Sequence, residues 1–143
     1  MKPLRILLVE DNEAHAELIR RTLQDHQVAT SIYHVLDGEA ALDFLHHRNA
    51  WSDESQSPRP DLILLDVRLP KIDGLEVLRE IRASEELQAI PTVILTTSDT
   101  ESDVARAYRL HANSYVVKPI DYDVFEELLQ DLGFYWLVWN RSV

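Results

Sequence analysis

No cysteine occurs anywhere in the 143 residues, which rules out thiolate-bound zinc, a thiol nucleophile and a disulfide framework. No apolar run reaches membrane-spanning length, and the opening "MKPLRILLVED" meets two acids before any stretch of signal-peptide length. These absences describe a soluble, cytoplasmic protein with no membrane partner. Positive charge is also scarce, with 14 Lys and Arg against 25 Asp and Glu and a net charge of -11. Phosphate backbones are held mainly by Lys and Arg, so nucleic acid is excluded as a partner. There is no internal repeat. The first apolar stretch is not followed by a Gly-rich or Ser/Thr-rich phosphate loop, and the acidic "VEDNEAH" found there would repel a nucleotide's phosphates. What is left is one domain's length of chain, enough to bury a core unaided.

Five of the six residues from Leu4 to Val9 are apolar, as are all four from Leu62 to Leu65. Runs of this kind suit strands buried on both faces of a parallel sheet. "NEAHAELIRRTLQD" carries Leu18, Ile19, Thr22 and Leu23 on one helical face, and "DGLEVLREIRAS" carries Leu75, Leu78 and Ile81. Strands at "TSIYHVL", "IPTVILT" and "SYVV" alternate with helices at "GEAALDFLHHR", "SDVARAYRLH" and "YDVFEELLQDLGFYWLVW". Five strand–helix units predict an α/β fold with a doubly wound parallel sheet between two layers of helices. The polar stretch "SDESQSPRP" predicts a solvated loop near residues 48–60. Trp51 ahead of it reads as a local packing anchor, and the six histidines read as surface residues.

Ligands of such sheets bind beyond the carboxyl ends of the strands. The first strand ends on Glu10 and Asp11, the third on Asp66, the fourth on Thr96-Thr97-Ser98, and the fifth runs into Lys118-Pro119. Taken singly, each has a plain explanation. Asp11 or Asn12 can cap the first helix, Asp66 can close a loop, and Pro70 with Asp73-Gly74 reads as a turn. Taken together, side chains from four strand ends converge on one rim, which the plain explanations leave unaccounted for. Three neighbouring carboxylates repel unless a cation joins them, and hard oxygen donors favour Mg²⁺.

"LLVEDN", "LILLDVRLPKIDG", "VILTTS" and "SYVVKP", in this order and spacing, resemble the receiver domain of two-component response regulators. The resemblance covers nearly the whole chain and implies a single receiver domain over residues 1–143. It implies the flavodoxin-like strand order 2-1-3-4-5 and a phosphoryl group transferred to Asp66 from a sensor histidine kinase. By the same resemblance Asp11, Asp66 and the backbone carbonyl of Arg68 hold Mg²⁺, with Mn²⁺ or Ca²⁺ as substitutes. Glu10 keeps the charge of the family's acidic pair on a longer side chain, so its contact to the ion runs through water. Thr96 matches the switch hydroxyl, Tyr115 the switch aromatic and Lys118 the phosphate-binding lysine. A haloacid-dehalogenase-type phosphohydrolase would want a second aspartate two residues after Asp66, and Arg68 stands there. The chain is expected to act as a stand-alone phosphoacceptor that takes part in its own phosphorylation and dephosphorylation, and not as a turnover enzyme.

The ending "GFYWLVWNRSV" is more apolar than an exposed final helix should be. Phe134, Tyr135, Trp136 and Trp139, in an extension at 133–140, cannot all face inward, so they predict a partner contact. The expectation is a homodimer through the fourth helix, fifth strand, fifth helix and this extension. The polar insert and aromatic ending also resemble the small response regulators that serve bacterial, often cyanobacterial, phytochrome kinases.

Overall fold

The computed structural model describes residues 3–24, 30–119 and 121–134, with side chains to residue 131. Strands β1 (Leu4–Val9), β3 (Leu62–Leu65) and β4 (Thr92–Thr96) are buried at nearly every position. Strands β2 (Thr30–Val35) and β5 (Ser114–Val117) are mostly half-buried. That division follows from position. The sheet is wholly parallel in the order β2-β1-β3-β4-β5, so the two partly open strands are its edges. This is the flavodoxin-like order that the family resemblance implied.

Because side chains alternate across a strand, each buried run feeds two cores. Leu7, Val9, Ile63, Leu65 and Ile94 pack with α2 (Gly38–His46) and α3 (Gly74–Ala83), joined by Ala107 of α4 (Glu101–Arg109). Ile6, Leu8, Leu62, Leu64, Val93 and Leu95 pack with α1 (Glu13–Gln24) and α5 (Tyr122–Phe134) through Leu18, Ile19, Phe125 and Leu129. Each fully buried Leu or Ile contributes about 1.5–3 kcal/mol, so the central strands are the firmest part of the chain. The inward faces of α1 and α3 are those their apolar spacing predicted. None of the helices among the described residues is long and apolar enough to cross a membrane.

The helix starts are capped by Asn12, Asp37, Asp73 and Thr100, whose side-chain oxygens accept from His15, Ala40, Leu75 and Asp103 N–H groups. Two helix boundaries differ from expectation. α2 stops at His46 because His47 turns left-handed, at φ 56°. α4 spans Glu101–Arg109 instead of reaching His111, itself at φ 61°.

The polar loop is less solvated than its composition suggested. Asn49–Trp51 forms a short 3₁₀ turn, and Ser57 is buried with its hydroxyl donating to the carbonyls of Trp51 and Asp53. Trp51 is the packing anchor expected, edge-on to Phe44 at 5.1 Å. Three histidines are not surface residues in the sense expected. His47 Nε2–H donates to the Ser57 carbonyl (2.8 Å), and His34 Nε2–H donates to the Glu10 carbonyl (2.7 Å) while its Nδ1 accepts from Arg20. The third, His15, belongs to the site. Backbone of α5 runs to Phe134, but the Phe134 side chain and all of Tyr135, Trp136 and Trp139 lie outside the described residues.

Candidate functional site

Strand register builds the rim. Val9 pairs with Leu65 and Leu65 with Ile94, so β1, β3 and β4 end nearly level. Asp66 N–H then donates to the Val9 carbonyl at 3.1 Å, which sets Asp66 beside Glu10. On the far side, Lys118 N–H donates to the Thr96 carbonyl at 2.7 Å, aligning the ends of β4 and β5. Gly74 permits the close packing behind Asp66. A Cβ added there would lie 1.9 Å from the Asp66 carbonyl oxygen, so the glycine serves close approach as well as the turn.

Lys118, Glu10 and Asp66 are all buried, with side chains 1, 2 and 8% exposed. The Lys118 ammonium donates to Glu10 Oε1, to Asp66 Oδ2 at 3.1 Å and to His15 Nδ1 at 3.1 Å. Glu10 Oε2 accepts from the Asn12 N–H at 3.1 Å. Burial pushes the Glu10 carboxyl up to about 7, Lys118 pulls against that shift, and the Asp66 charge adds to it. Two buried acids share one ammonium, an arrangement short of positive charge.

Asp11 stands exposed at the mouth, relieved of capping because Asn12 does it. Carboxylate oxygens of Glu10, Asp11 and Asp66 lie within 4.8 Å of one another. Hard oxygen donors this close, with one of them raised by its surroundings, fit a divalent cation. Arg68 N–H donates to Asp66 Oδ1 at 3.3 Å, which ties the backbone after β3 to the acids.

Thr96 and Tyr115 meet around Ser98. Ser98 N–H donates to Thr96 Oγ1 at 3.3 Å, and Tyr115 OH donates to the Ser98 carbonyl at 2.7 Å. Burial raises the Tyr115 phenol above its ordinary pKa. Ser98 Oγ donates to Asp103 Oδ2 at 2.6 Å, and the Arg68 guanidinium reaches the same oxygen at 2.5 Å. The Ser98 hydroxyl, ahead of Arg68, holds the Asp103 carboxyl below its usual range. A hydrogen-bonded path thus runs from Asp66 through Arg68, Asp103 and Ser98 to Tyr115. Among the described residues, no hydrogen bond links Thr96 or Tyr115 directly to Asp66.

The structure therefore brings together Glu10, Asp11, Asp66, Arg68 and Lys118, with Thr96 and Tyr115 joined to them through the loop after β4. Sequence reasoning missed His15, Ser98's bridging role and Asp103. His15 lies in the first turn of α1, just after the acidic pair, and that nearness to the rim was the available signal. Asp103 carried none, because its partners come from two other loops.

Residues 6–130 match the sequence profile of the response regulator receiver domain. The chain is 46% identical over 140 residues to the probable methanogenesis regulatory protein FilR2 of Methanothrix harundinacea, spanning 98% of this chain and 88% of that one. It is 41% identical over 135 residues to response regulator Rcp1 of Synechocystis, spanning 94% and 90%. The Mn²⁺-bound crystal structure of Rcp1 superposes with a TM-score of 0.91 at 40% identity, covering 95% of this chain and 96% of that one. The phosphorylated cyanobacterial phytochrome response regulator RcpA superposes with a TM-score of 0.90 at 37% identity over 96% of each. A profile match across most of the chain, with relatives above 40% identity and superposition over nearly their full length, leaves one assignment: this chain belongs to the response regulator receiver domain family of two-component signalling.

Proposed function

We propose that this protein accepts a phosphoryl group on Asp66 from a sensor histidine kinase, with Mg²⁺ at the acidic cluster, and signals through the surface around β5. The observation that carries the reading is the Lys118 ammonium held 3.1 Å from Asp66 Oδ2 in a buried site. In the transfer, an Asp66 oxygen bonds to phosphorus while the bond from phosphorus to the donor's imidazole nitrogen breaks. Charge spread over the phosphoryl oxygens is met by the Lys118 donor that now serves Asp66. Asp11, Asp66 and the Arg68 carbonyl would hold Mg²⁺, and Glu10 would reach it through water. Bound there, Mg²⁺ supplies a second positive centre for the same oxygens, and Mn²⁺ or Ca²⁺ have the same oxygen preference.

The phosphoaspartate adds roughly one negative charge and new acceptor oxygens. Thr96 Oγ–H would donate to one of them, and its movement inward would stretch the bond it accepts from the Ser98 N–H and loosen the seat of Tyr115. The signal is a shift between two packings of the β4–α4 loop and β5. The chain takes part in its own phosphorylation and dephosphorylation without turning over a substrate. Its place is the cytoplasm, where the kinase's phosphohistidine is available. A kinase of the phytochrome type is supported by the similarity to RcpA over 96% of each chain.

Intact mass after acetyl phosphate and Mg²⁺ tests the reading. One added phosphoryl group is expected on the wild type and none on Asp66→Asn. Labelling that persists in Asp66→Asn refutes the assignment.

The same surface supports self-association. Tyr108 of α4, Val117 of β5, and Tyr122 and Val124 of α5 are 40–54% exposed, large apolar side chains on all three elements of that face. A homodimer across α4, β5 and α5 should appear in sedimentation velocity as a concentration-dependent species whose affinity changes with phosphodonor. A monomer at every concentration in both states removes the dimer and leaves the phosphoacceptor reading intact.

A further inference from the structure

Lys118 has three N–H donors and no acceptor, and all three are committed. Two go to the Glu10 and Asp66 carboxylates and the third to Nδ1 of His15. An ammonium can only donate, so Nδ1 must carry its lone pair and the His15 proton must sit on Nε2. Burial and the Lys118 charge both hold His15 below its ordinary pKa, which favours that neutral form. The ring is itself held, edge-on to Phe125 at 5.6 Å and to Tyr122 at 6.1 Å. Asn12 caps the helix by accepting from the His15 N–H, so the backbone under the ring is fixed too.

We propose that His15 is a positioning residue for phosphoryl capture: it anchors Lys118 so that a single ammonium N–H is left to face the transferring group. The inference rests on Asp66 as phosphoacceptor. When phosphoryl oxygens arrive at Asp66, only the donor now spent on Asp66 has to be redirected. Glu10 and His15 hold the other two, from β1 and α1. Without His15 the ammonium is tied at one stable point, and its two remaining N–H groups can turn to water. A four-carbon stem gives little orientation of its own. A neutral acceptor also suits this role, since a third carboxylate would add to the repulsion Asp66 already feels. Nothing in the receiver-type motifs of the sequence specifies this residue.

Substitution separates anchoring from packing. His15→Phe keeps a ring against Phe125 and Tyr122 and removes the acceptor. His15→Asn keeps an acceptor near the position of Nδ1 and loses the ring. With acetyl phosphate and Mg²⁺ both saturating, an intact-mass time course should show His15→Phe slower by roughly fivefold, the scale of one hydrogen bond. Its half-saturating Mg²⁺ concentration should stay at the wild-type value, and His15→Asn should recover most of the rate. His15→Leu makes the same comparison if phenylalanine does not fit. His15→Phe at the wild-type rate overturns the proposal, and so does His15→Asn as slow as His15→Phe. A wild type that takes up no phosphoryl group overturns the Asp66 assignment and this inference with it. A labelled wild type matched in rate by His15→Phe overturns the inference alone.

Discussion

β3 and β5 are both four-residue parallel strands that end on the functional rim, yet they are held in different ways. All of Leu62–Leu65 is buried between two helical layers, and Asp66 continues that sealed run. Ser114–Val117 is an edge strand, half-buried until Val117, which is 40% exposed. Lys118 is buried again directly after it, held by ion pairs to Glu10 and Asp66. The acceptor is therefore fixed by packing, and the fifth strand is fixed at its active-site end by charge. Packing does not respond to a phosphoryl group, whereas a charge balance does. The difference tells where the molecule can move cheaply, since segments with few buried apolar contacts open at the lowest free energy.

The largest expected effect lies on the packed side. In Gly74→Ala the new methyl meets the Asp66 carbonyl, so urea unfolding should show a loss of roughly 3 kcal/mol, together with poor phosphorylation. Val117→Ala should stay within about 0.5 kcal/mol. Equal losses from the two would erase the contrast. Next comes the charge that holds β5. Lys118→Met leaves two buried acids unpaired, a change that usually costs about 3–5 kcal/mol. Glu10 can take up a proton instead, so about 2 kcal/mol is expected, with greater hydrogen exchange at residues 114–117 than in β3. A neutral Lys118→Met would mean that β5 is held by something else.

The last effect is spread over a pH range and is seen as a slope. Glu10 binds its proton more tightly in the folded chain, near 7 against an ordinary 4.5. Without a divalent cation, stability should therefore fall as pH rises through that window. Melting temperatures of Glu10→Gln should lack this part of the slope, because glutamine does not titrate. A slope identical to the wild type's would place the titration in another group.

Much of this architecture could be read before the fold was known, for a physical reason. Leu62–Leu65 and Leu4–Val9 are apolar because both of their faces are covered, and that leaves a mark on consecutive residues. Glu10 and Asp66 were legible because each directly follows such a mark, and Asp11, Thr96 and Lys118 because each stands at or beside a strand end. His15 and Asp103 were not, since what makes them matter is a partner from a distant segment. His15 meets Lys118 across 103 residues, and Asp103 meets Arg68 across 35. Ser57 misled at short range, through backbone partners four and six residues back. Its neighbours are polar and exposed, but its hydroxyl closes the loop from inside. Exposure of a polar residue is decided by the partners it finds, which a local pattern does not contain.

Hydrogen exchange with and without acetyl phosphate, in saturating Mg²⁺, tests the central claim most directly. If Asp66 is the fixed acceptor and the edge is the responder, the changes should concentrate in residues 97–103 and 114–118. The amides of β1 and β3 should keep their protection. Changes spread evenly over the sheet, or an unchanged edge in a fully phosphorylated protein, would contradict the account.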